Sequence, residues 1–521
     1  MTAVFAHHLP HRVLFTALAA GIGAAISPAL CAKQADVAPH LRDDPAQRIF
    51  RSFAPARSRP HRALPAAVLP VTNCANDGPG SLRAAVAAAN DNDEIDLSQL
   101  ACSRITLTTG GIEVDADNLT LSGPGQDKLT IDGNHYDRLL VHPGSGALTV
   151  QGLTIQNGWN RASGFDVAGG GCIASAAFLY VRDSTVRNCY AGGEGSYGGA
   201  IYAYAVTLDH STVSGNVAKG IHEDSSTAAF GGAIFTYVLD LTASTVSGNR
   251  AEHQVRPGRS SYDIGGAIVA VVGGNIRSST IDTNYSEGRA GGVASFNPLL
   301  VSNSTISSNV AADGVGGGVF MRWPSVLVAT NSTIAANRAS VGSGIWIAAD
   351  GTELHSTIVY GNTGSPGNAN IGGMDPLANA PLTIGGSNNL IGAAEPAIAL
   401  PPDTRTGNPL LGPLRPNGGP TRTHALGVGS PAIDAGSNVA SLEFDQRGAN
   451  FPRVFGAAAD IGAYERGPTL AAPTNVPTLS ARVALLLAGL LGAVAAARLR
   501  APSRRLAAAR SALKSPHGDR R

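Results

Sequence analysis

The sequence predicts an all-β fold: a right-handed parallel β-helix with a short N-terminal capping helix and a C-terminal transmembrane helix. The first observation is a phrase that returns seven times, as Ser184-Thr185-Val186, Ser211-Thr212-Val213, Ser244-Thr245-Val246, Ser279-Thr280-Ile281, Ser304-Thr305-Ile306, Ser332-Thr333-Ile334 and Ser356-Thr357-Ile358. Most copies run on to an Asn: Asn216, Asn249, Asn284, Asn309, Asn337, Asn362. The second is a Gly-Gly phrase between the copies, as in Gly198-Gly199-Ala200-Ile201, Gly231-Gly232-Ala233-Ile234 and Gly265-Gly266-Ala267-Ile268. The third is elastic spacing: successive Thr positions lie between 24 residues (Thr333 to Thr357) and 35 residues (Thr245 to Thr280) apart. A fixed phrase with variable length between copies marks a repeat architecture. Short β-branched runs bounded by Gly and Asn are strand-and-turn chemistry.

Each repeat is therefore read as one coil, stacked on the last at roughly 4.8 Å. Period two puts Ser211 and Val213 on one face of the strand and Thr212 on the other. The Val and Ile positions are expected to stack inside. The Asn positions are expected to form a ladder at a turn, a structural rather than a ligand-binding role.

Composition sets the outer limits. The chain has 521 residues, 64 Gly, 31 Pro, 14% charged residues and net charge +1. That charge argues against nucleic acid as a partner. Recurring aliphatics distinguish the chain from a disordered one of similar polarity.

In chain order, residues 1–32 read as a signal peptide. Arg12 precedes an apolar run over 13–26, and small residues around Cys31 and Ala32 permit cleavage. A retained membrane anchor is the alternative. Residues 33–70, rich in Pro, Ala and Arg, read as a disordered spacer. The β-helix is assigned to 71–388. Ser81 caps a helix in which Leu82, Ala85, Val86 and Ala89 share a face, a natural cover for the first coil. With Cys31 removed, Cys74, Cys102, Cys172 and Cys189 remain, and an even count in an exported chain favours two disulfides. Cys74 with Cys102 and Cys172 with Cys189 are the local choice among three pairings. The spacing is poor for zinc, and neither a metal nor a cofactor is expected.

Residues 389–466 read as a closing module, 467–475 as a linker, 476–505 as a sorting tail and 506–521 as a basic cytoplasmic end. Three motifs of the module are Asn417-Gly418-Gly419-Pro420-Thr421, Ser430-Pro431-Ala432-Ile433-Asp434-Ala435-Gly436 and Asp460-Ile461-Gly462-Ala463-Tyr464-Glu465. With Asn76-Asp77-Gly78-Pro79-Gly80-Ser81-Leu82-Arg83 near the start, they resemble the bacterial surface β-helix proteins that carry a choice-of-anchor module. The resemblance implies a surface protein and little about activity. Asp434, Asp445, Arg447 and Asp460 are expected to form a buried hydrogen-bonded knot closing the C-terminal end. The tail Val476-Pro477-Thr478-Leu479 is similar to the sorting signals named after Ile-Pro-Thr-Leu, with Val476 in place of Ile. The apolar run over 483–497 spans about 22 Å at ~1.5 Å per residue, short of a hydrocarbon core of about 30 Å unless its flanks extend it. Arginines after it place that end in the cytoplasm. A helix packed on the solenoid is the alternative.

Two sets of residues are candidate sites. Charged loop residues His222, Glu223, Asp224, Glu252, His253 and Asp263 are the weak catalytic candidates, on loops expected to be neighbours. Positions after the inward aliphatic of the Gly-Gly phrase point outward: Ala174, Tyr202, Phe235, Val269, Ser295, Phe320 and Trp346, with Tyr204 and Tyr237 two further on. This stripe is expected to bind glycan or a surface protein through Tyr202, Tyr204, Phe235, Tyr237, Phe320 and Trp346; cross-coil stacking that only stabilises, or cover by the nearby loops, is the alternative. The reading is an exported, surface-associated, monomeric binder of adhesin type, tethered to the membrane by its tail. A polysaccharide lyase or glycoside hydrolase is one alternative, and a structural stalk or surface-layer component the other.

Overall fold

The computed structural model describes residues 66–161, 167–193, 195–220, 228–253, 263–364, 369–375 and 381–467. The expected signal peptide, the sorting motif Val476, Pro477, Thr478 and Leu479, and the transmembrane segment lie outside these. Among the described residues no helix is long and apolar enough to cross a membrane.

The described chain is a parallel β-solenoid with three faces. The repeated Ser-Thr-Val phrase builds one of them, an eleven-stranded parallel sheet from Arg104–Thr106 to Leu390–Ile391. We call it the third face. The Gly-Gly phrase leads into the first face, where Ile201, Ile234, Ile268, Val293, Val319, Ile345 and Ile371 are register partners in succession. The second face continues from the first. In Ile173–Arg182 and Ile234–Thr242 the two share one strand, with a shift of register at the corner.

Period two decides what each strand buries. Val186, Val213, Val246, Ile281, Ile306, Ile334 and Val359 all point inward and are fully buried. Burying each contributes roughly 1.5–3 kcal/mol. The Asn ladder forms as expected. The Asn216 amide donates to Asn249 Oδ1 at 2.8 Å, and Asn249, Asn284, Asn309 and Asn337 each donate to the next Asn at 2.9 Å. Each amide also donates to a carbonyl of the preceding coil, as Asn284 does to Val246 O at 3.0 Å. A second ladder, of Ser, was not anticipated: the backbone N–H of Ser211, Ser244 and Ser279 each meets the next Ser hydroxyl at 3.1 Å.

The seventh copy of the phrase is displaced by one residue. Ile358 pairs with Thr333 and Val359 with Ile334, so Thr357 takes the Ser place. One inserted residue flips the outward side chain from Thr to Ile, and that Ile is buried.

Between the third and first faces the chain leaves the solenoid and comes back. Segments read as loops are strands. Outgoing strands Trp159–Arg161, Tyr190–Gly193, Val217–Gly220, Arg250–His253, Tyr285–Ser286 and Val310–Ala311 form one sheet. Returning strands Val167–Gly169, Gly195–Tyr197 and Ala229–Phe230 form another. Ala218, Ala229 and Ala251 pack the two arms together. The Gly-Gly phrase is the re-entry corner: Gly231 has φ +70°, and a Cβ on Gly232 would sit 2.1 Å from Gly266 O. Only glycine fits that approach.

At the N-terminal end the helix Leu82–Ala88 is capped by Ser81, which accepts from Ala84 N–H at 3.2 Å, and it buries Leu82 and Val86 in the main core. Order begins earlier than the expected boundary at 70, since Val68–Pro70 is a strand paired with Asp93–Asp96. The solenoid also runs past 388, through Leu390–Ile391 and Ile398–Ala399. Both expected disulfides form, Cys74–Cys102 and Cys172–Cys189. Cys189 stands at the head of the Asn ladder, its N–H donating to Asn216 Oδ1 at 2.9 Å.

The closing module lies along the outer side of the third face, where an end cap was expected. Its hairpin pairs Leu411–Arg415 with Thr423–Leu426. Leu426, Ala432 and Ile461 pack on Ile358 and Leu390 of the third face.

Candidate functional site

The outward aromatic stripe of the first face is a second hydrophobic core. Tyr202, Phe235 and Phe320 are 0%, 3% and 6% exposed. They pack with Tyr197, Phe230, Ile264 and Ala290 from the returning arm. Tyr197 stacks on Phe230 at 5.0 Å, Tyr202 stacks on Phe235 at 5.7 Å, and Tyr197 meets Phe235 edge-on at 5.0 Å. A sheet face that presents large apolar residues needs a second layer, and the arm supplies it. The expectation of a binding stripe at Tyr202, Phe235 and Phe320 is thereby corrected. Ser295 does not belong to the stripe either: Ala294 pairs with Val269 and Phe320, and Ser295 points inward. Trp346 is half-buried against the same cluster. Tyr204 and Tyr237, also half-buried, stack at 5.5 Å on the corner towards the second face, with Phe178 edge-on to Tyr204 at 6.4 Å.

The charged candidates do not converge among the described residues. His222, Glu223 and Asp224 lie outside them, and of His253 only the backbone is described. Glu252 is ion-paired with Arg250 at 2.7 Å on the outgoing arm. Asp263 is buried, and its Oδ1 accepts from Ala229 N–H at 2.7 Å, which fastens the returning strands. The two loops do leave from paired strands as expected, with Lys219 the register partner of Glu252. Among the described residues no group of three His, Cys, Asp or Glu side chains could hold a metal ion.

The knot expected from Asp445, Arg447 and Asp460 is present and buried. Arg447 donates to Asp445 Oδ2 at 2.6 Å and lies between the rings of Phe451 and Tyr464, each 3.9 Å away. Arg453, wholly buried, donates to Glu465 Oε2 at 2.8 Å and to Gly462 O at 2.9 Å. Asp434 is exposed and accepts from Ala457 N–H at 2.8 Å. These groups fasten the closing module.

A different face was missed. Ala191, Ala218 and Ala251 of the outgoing arm turn toward the returning arm. Period two therefore turns Trp159, Tyr190, Val217, Arg250 and Tyr285 the other way, with Arg161, Gly192, Lys219 and Glu252 two residues on. Trp159 stacks on Tyr190 at 4.1 Å with an interplanar angle of 17°. His135 meets Trp159 edge-on at 5.9 Å. The Tyr190 ring reaches over Gly192, where a Cβ would lie 2.5 Å from it. Burial pushes the Tyr190 phenol above its ordinary range, Glu252 adds to that and Arg161 opposes it. Burial raises Tyr285 as well, with Arg250 4.4 Å above its ring. Both phenols are therefore neutral at neutral pH, able to donate and accept hydrogen bonds. Arg187, at the end of the adjoining third-face strand, donates to Gln156 at 2.9 Å. The signal in the sequence was the alternation Trp159-x-Arg161, Val217-x-Lys219 and Arg250-x-Glu252 just after each ladder turn, too short to read as a strand.

No protein-family model matches the chain, and no curated protein matches it. Among solved structures the chain is similar to one described as pectate lyase Pel9A, at a TM-score of 0.31 and 15% identity, over 77% of this chain and 96% of that one. At that distance the match bears no weight on activity.

Proposed function

We propose that this chain is an exported solenoid that holds an extended polysaccharide on the outer face of its outgoing arm. The observation that carries the reading is the stacked Trp159–Tyr190 pair, half-buried on a rigid sheet and flanked by Arg161 and Lys219. Aromatic rings with polar neighbours suit sugar rings, whose faces are apolar and whose edges carry hydroxyls. Two disulfides support export to an oxidising compartment. A C-terminal membrane tether, at least before sorting, completes the reading. Attachment to surfaces is the role this arrangement serves.

Cleavage of the bound polymer is the second reading. Lys219 and Arg161 put basic side chains on the face that carries the aromatic pair, and β-elimination from a sugar acid uses such a group to take the proton. Binding of the full chain to a panel of neutral and acidic polysaccharides, with absorbance and reducing-end assays on the same mixtures, tests both. Trp159→Ala is expected to weaken binding roughly tenfold. Undiminished binding by that variant, or no binding by the parent chain, overturns the reading. New reducing ends or unsaturated products establish cleavage.

A further inference from the structure

The cations around the aromatic pair are unevenly placed. Arg161, Arg187 and Lys219 sit on or beside the first three strands of the outgoing arm. Among the described residues none of the three is ion-paired to a carboxylate. The neighbouring carboxylates among the described residues are occupied. Glu252 is held by Arg250 at 2.7 Å. Asp132 accepts from Gln156 at 2.9 Å and from Asn157 at 3.0 Å, with Arg104 at 3.2 Å. Asp137 accepts from Gly111 N–H at 3.3 Å. Further along the same sheet the excess of cations ends, because Arg250 and Glu252 neutralise each other on the strand Arg250–His253.

We propose that the ligand of this face is an acidic polysaccharide, a polymer of carboxylate- or sulfate-bearing sugars, seated over the Trp159–Tyr190 pair with its acid groups toward Arg161, Arg187 and Lys219. The inference rests on the polysaccharide reading above. Arg161 and Lys219 stand two strands apart, about 10 Å, and Tyr190 fills the space over Gly192 between them. A chain crossing the strands would meet a cation, the aromatic edge, and a cation in turn. Two exposed guanidinium groups bind carboxylate or sulfate in a fork. The Arg250–Glu252 pair leaves no excess of positive charge on the next strand, so the site is confined to the first three strands of the sheet.

The test uses the full chain and two probes with one backbone: a polyuronate of defined length, and that polymer with its carboxyl groups methyl-esterified. The acid form is expected to bind at least tenfold more tightly, with affinity falling as salt rises. The triple variant Arg161→Gln, Arg187→Gln, Lys219→Gln is expected to lose about tenfold toward the acid form and to keep ester binding within about twofold. Arg161 and Arg187 are exposed and Lys219 half-exposed, so the fold survives the change, and an unaltered melting curve checks this. Equal affinity for acid and ester overturns the acid preference and leaves the polysaccharide reading standing. Failure of both probes and of every neutral polymer overturns both. A single-stranded nucleic acid bound as tightly as the polyuronate also overturns the proposal, because charge alone then suffices.

Discussion

The third face has two halves built from the same phrase. Thr185, Thr212 and Thr245 point outward on the early strands and are half-exposed; Thr280, Thr305 and Thr333 hold the same place on later strands and are buried. The closing module makes the difference. Thr280 donates to Arg422 O at 2.7 Å, Thr305 donates to Gln446 Oε1 at 2.6 Å, and Thr333 accepts from Ala463 N–H at 3.0 Å. Corner residues follow suit. Asn303 donates to Phe444 O at 2.7 Å and Asn331 to Ser437 O at 3.0 Å, where the early strands carry His210 and Ala243. Beyond them the outward residues become Ile358 and Leu390, which join an apolar cluster. A repeat residue thus has a fixed direction and no fixed value. Its energetic worth depends on what lies over it.

Removing the fastening should have the largest effect. Arg453→Ala leaves Glu465 buried without its cation and Gly462 O without a donor. A loss of about 3–5 kcal/mol is expected for breaking one side of such a pair. Denaturant titration with limited proteolysis should show the module released while the early coils stay protected. A loss no larger than that of a surface substitution would mean that the module is held by its apolar contacts alone.

A matched pair of variants then tests cover itself. Thr305→Val leaves the Gln446 oxygen without its donor in a buried place, so about 1–3 kcal/mol should be lost. Thr212→Val, on the uncovered half, should cost less than about 0.5 kcal/mol. Equal losses would break the comparison.

Acid should move the halves in opposite directions. Asp132 and Asp282 hold the same ladder position, two residues past an outward Thr. Burial pushes Asp282 above its ordinary value of 3.8, with Arg422 and Thr283 pulling part of the way back. Its contribution is therefore full below 3.8 and lost as pH rises through the raised value. At Asp132 burial acts upward too, but hydrogen bonds from Gln156, Asn134 and Asn157 and the charge of Arg104 prevail, and it titrates below 3.8. Its contribution is full above 3.8 and lost as pH falls through the lowered value. Hydrogen exchange followed on peptides from each half should show the early strands loosening in acid, with Asp282→Asn abolishing the opposite trend in the late strands. Parallel behaviour of both halves would remove electrostatics from the comparison.

The coil was legible because its inward and ladder positions repeat: Val213, Asn216 and Gly232 meet the same surroundings in every turn. The cover was not legible, because it depends on contacts between segments about 140 residues apart, such as Thr305 with Gln446. Tyr202 and Phe235 were placed outward correctly, and outward was taken for exposed. The arm strands that bury them are two to four residues long, too short for periodicity to register. The Trp159–Tyr190 face was hidden for the same reason. Residue types pointed to aromatic and basic chemistry, but only the register of the outgoing arm brings Arg161 and Lys219 to one side.

The smallest effect concerns the backbone, where the two halves should agree. The corner before each ladder Asn adopts positive φ throughout: +64° at Gly215, +66° at Gly248 and +56° at Ala336. Gly215 and Gly248 hold the corner on the uncovered half, and Ala336 holds it on the covered half, after Thr283 and Ser308. A Cβ at Gly248 would meet nothing nearer than Gly215 N at 4.0 Å, and Ala336 is itself exposed, so neither side chain is in contact with any cover. What remains is the intrinsic cost of a left-handed residue that has a Cβ. Ala336→Gly should therefore stabilise by about 0.5–1 kcal/mol, and Gly248→Ala should destabilise by a similar amount. Thermal melts of the two variants check this. Matching magnitudes would confine the effect of the closing module to side chains; a smaller gain at Ala336 would mean that cover also fixes the backbone beneath it.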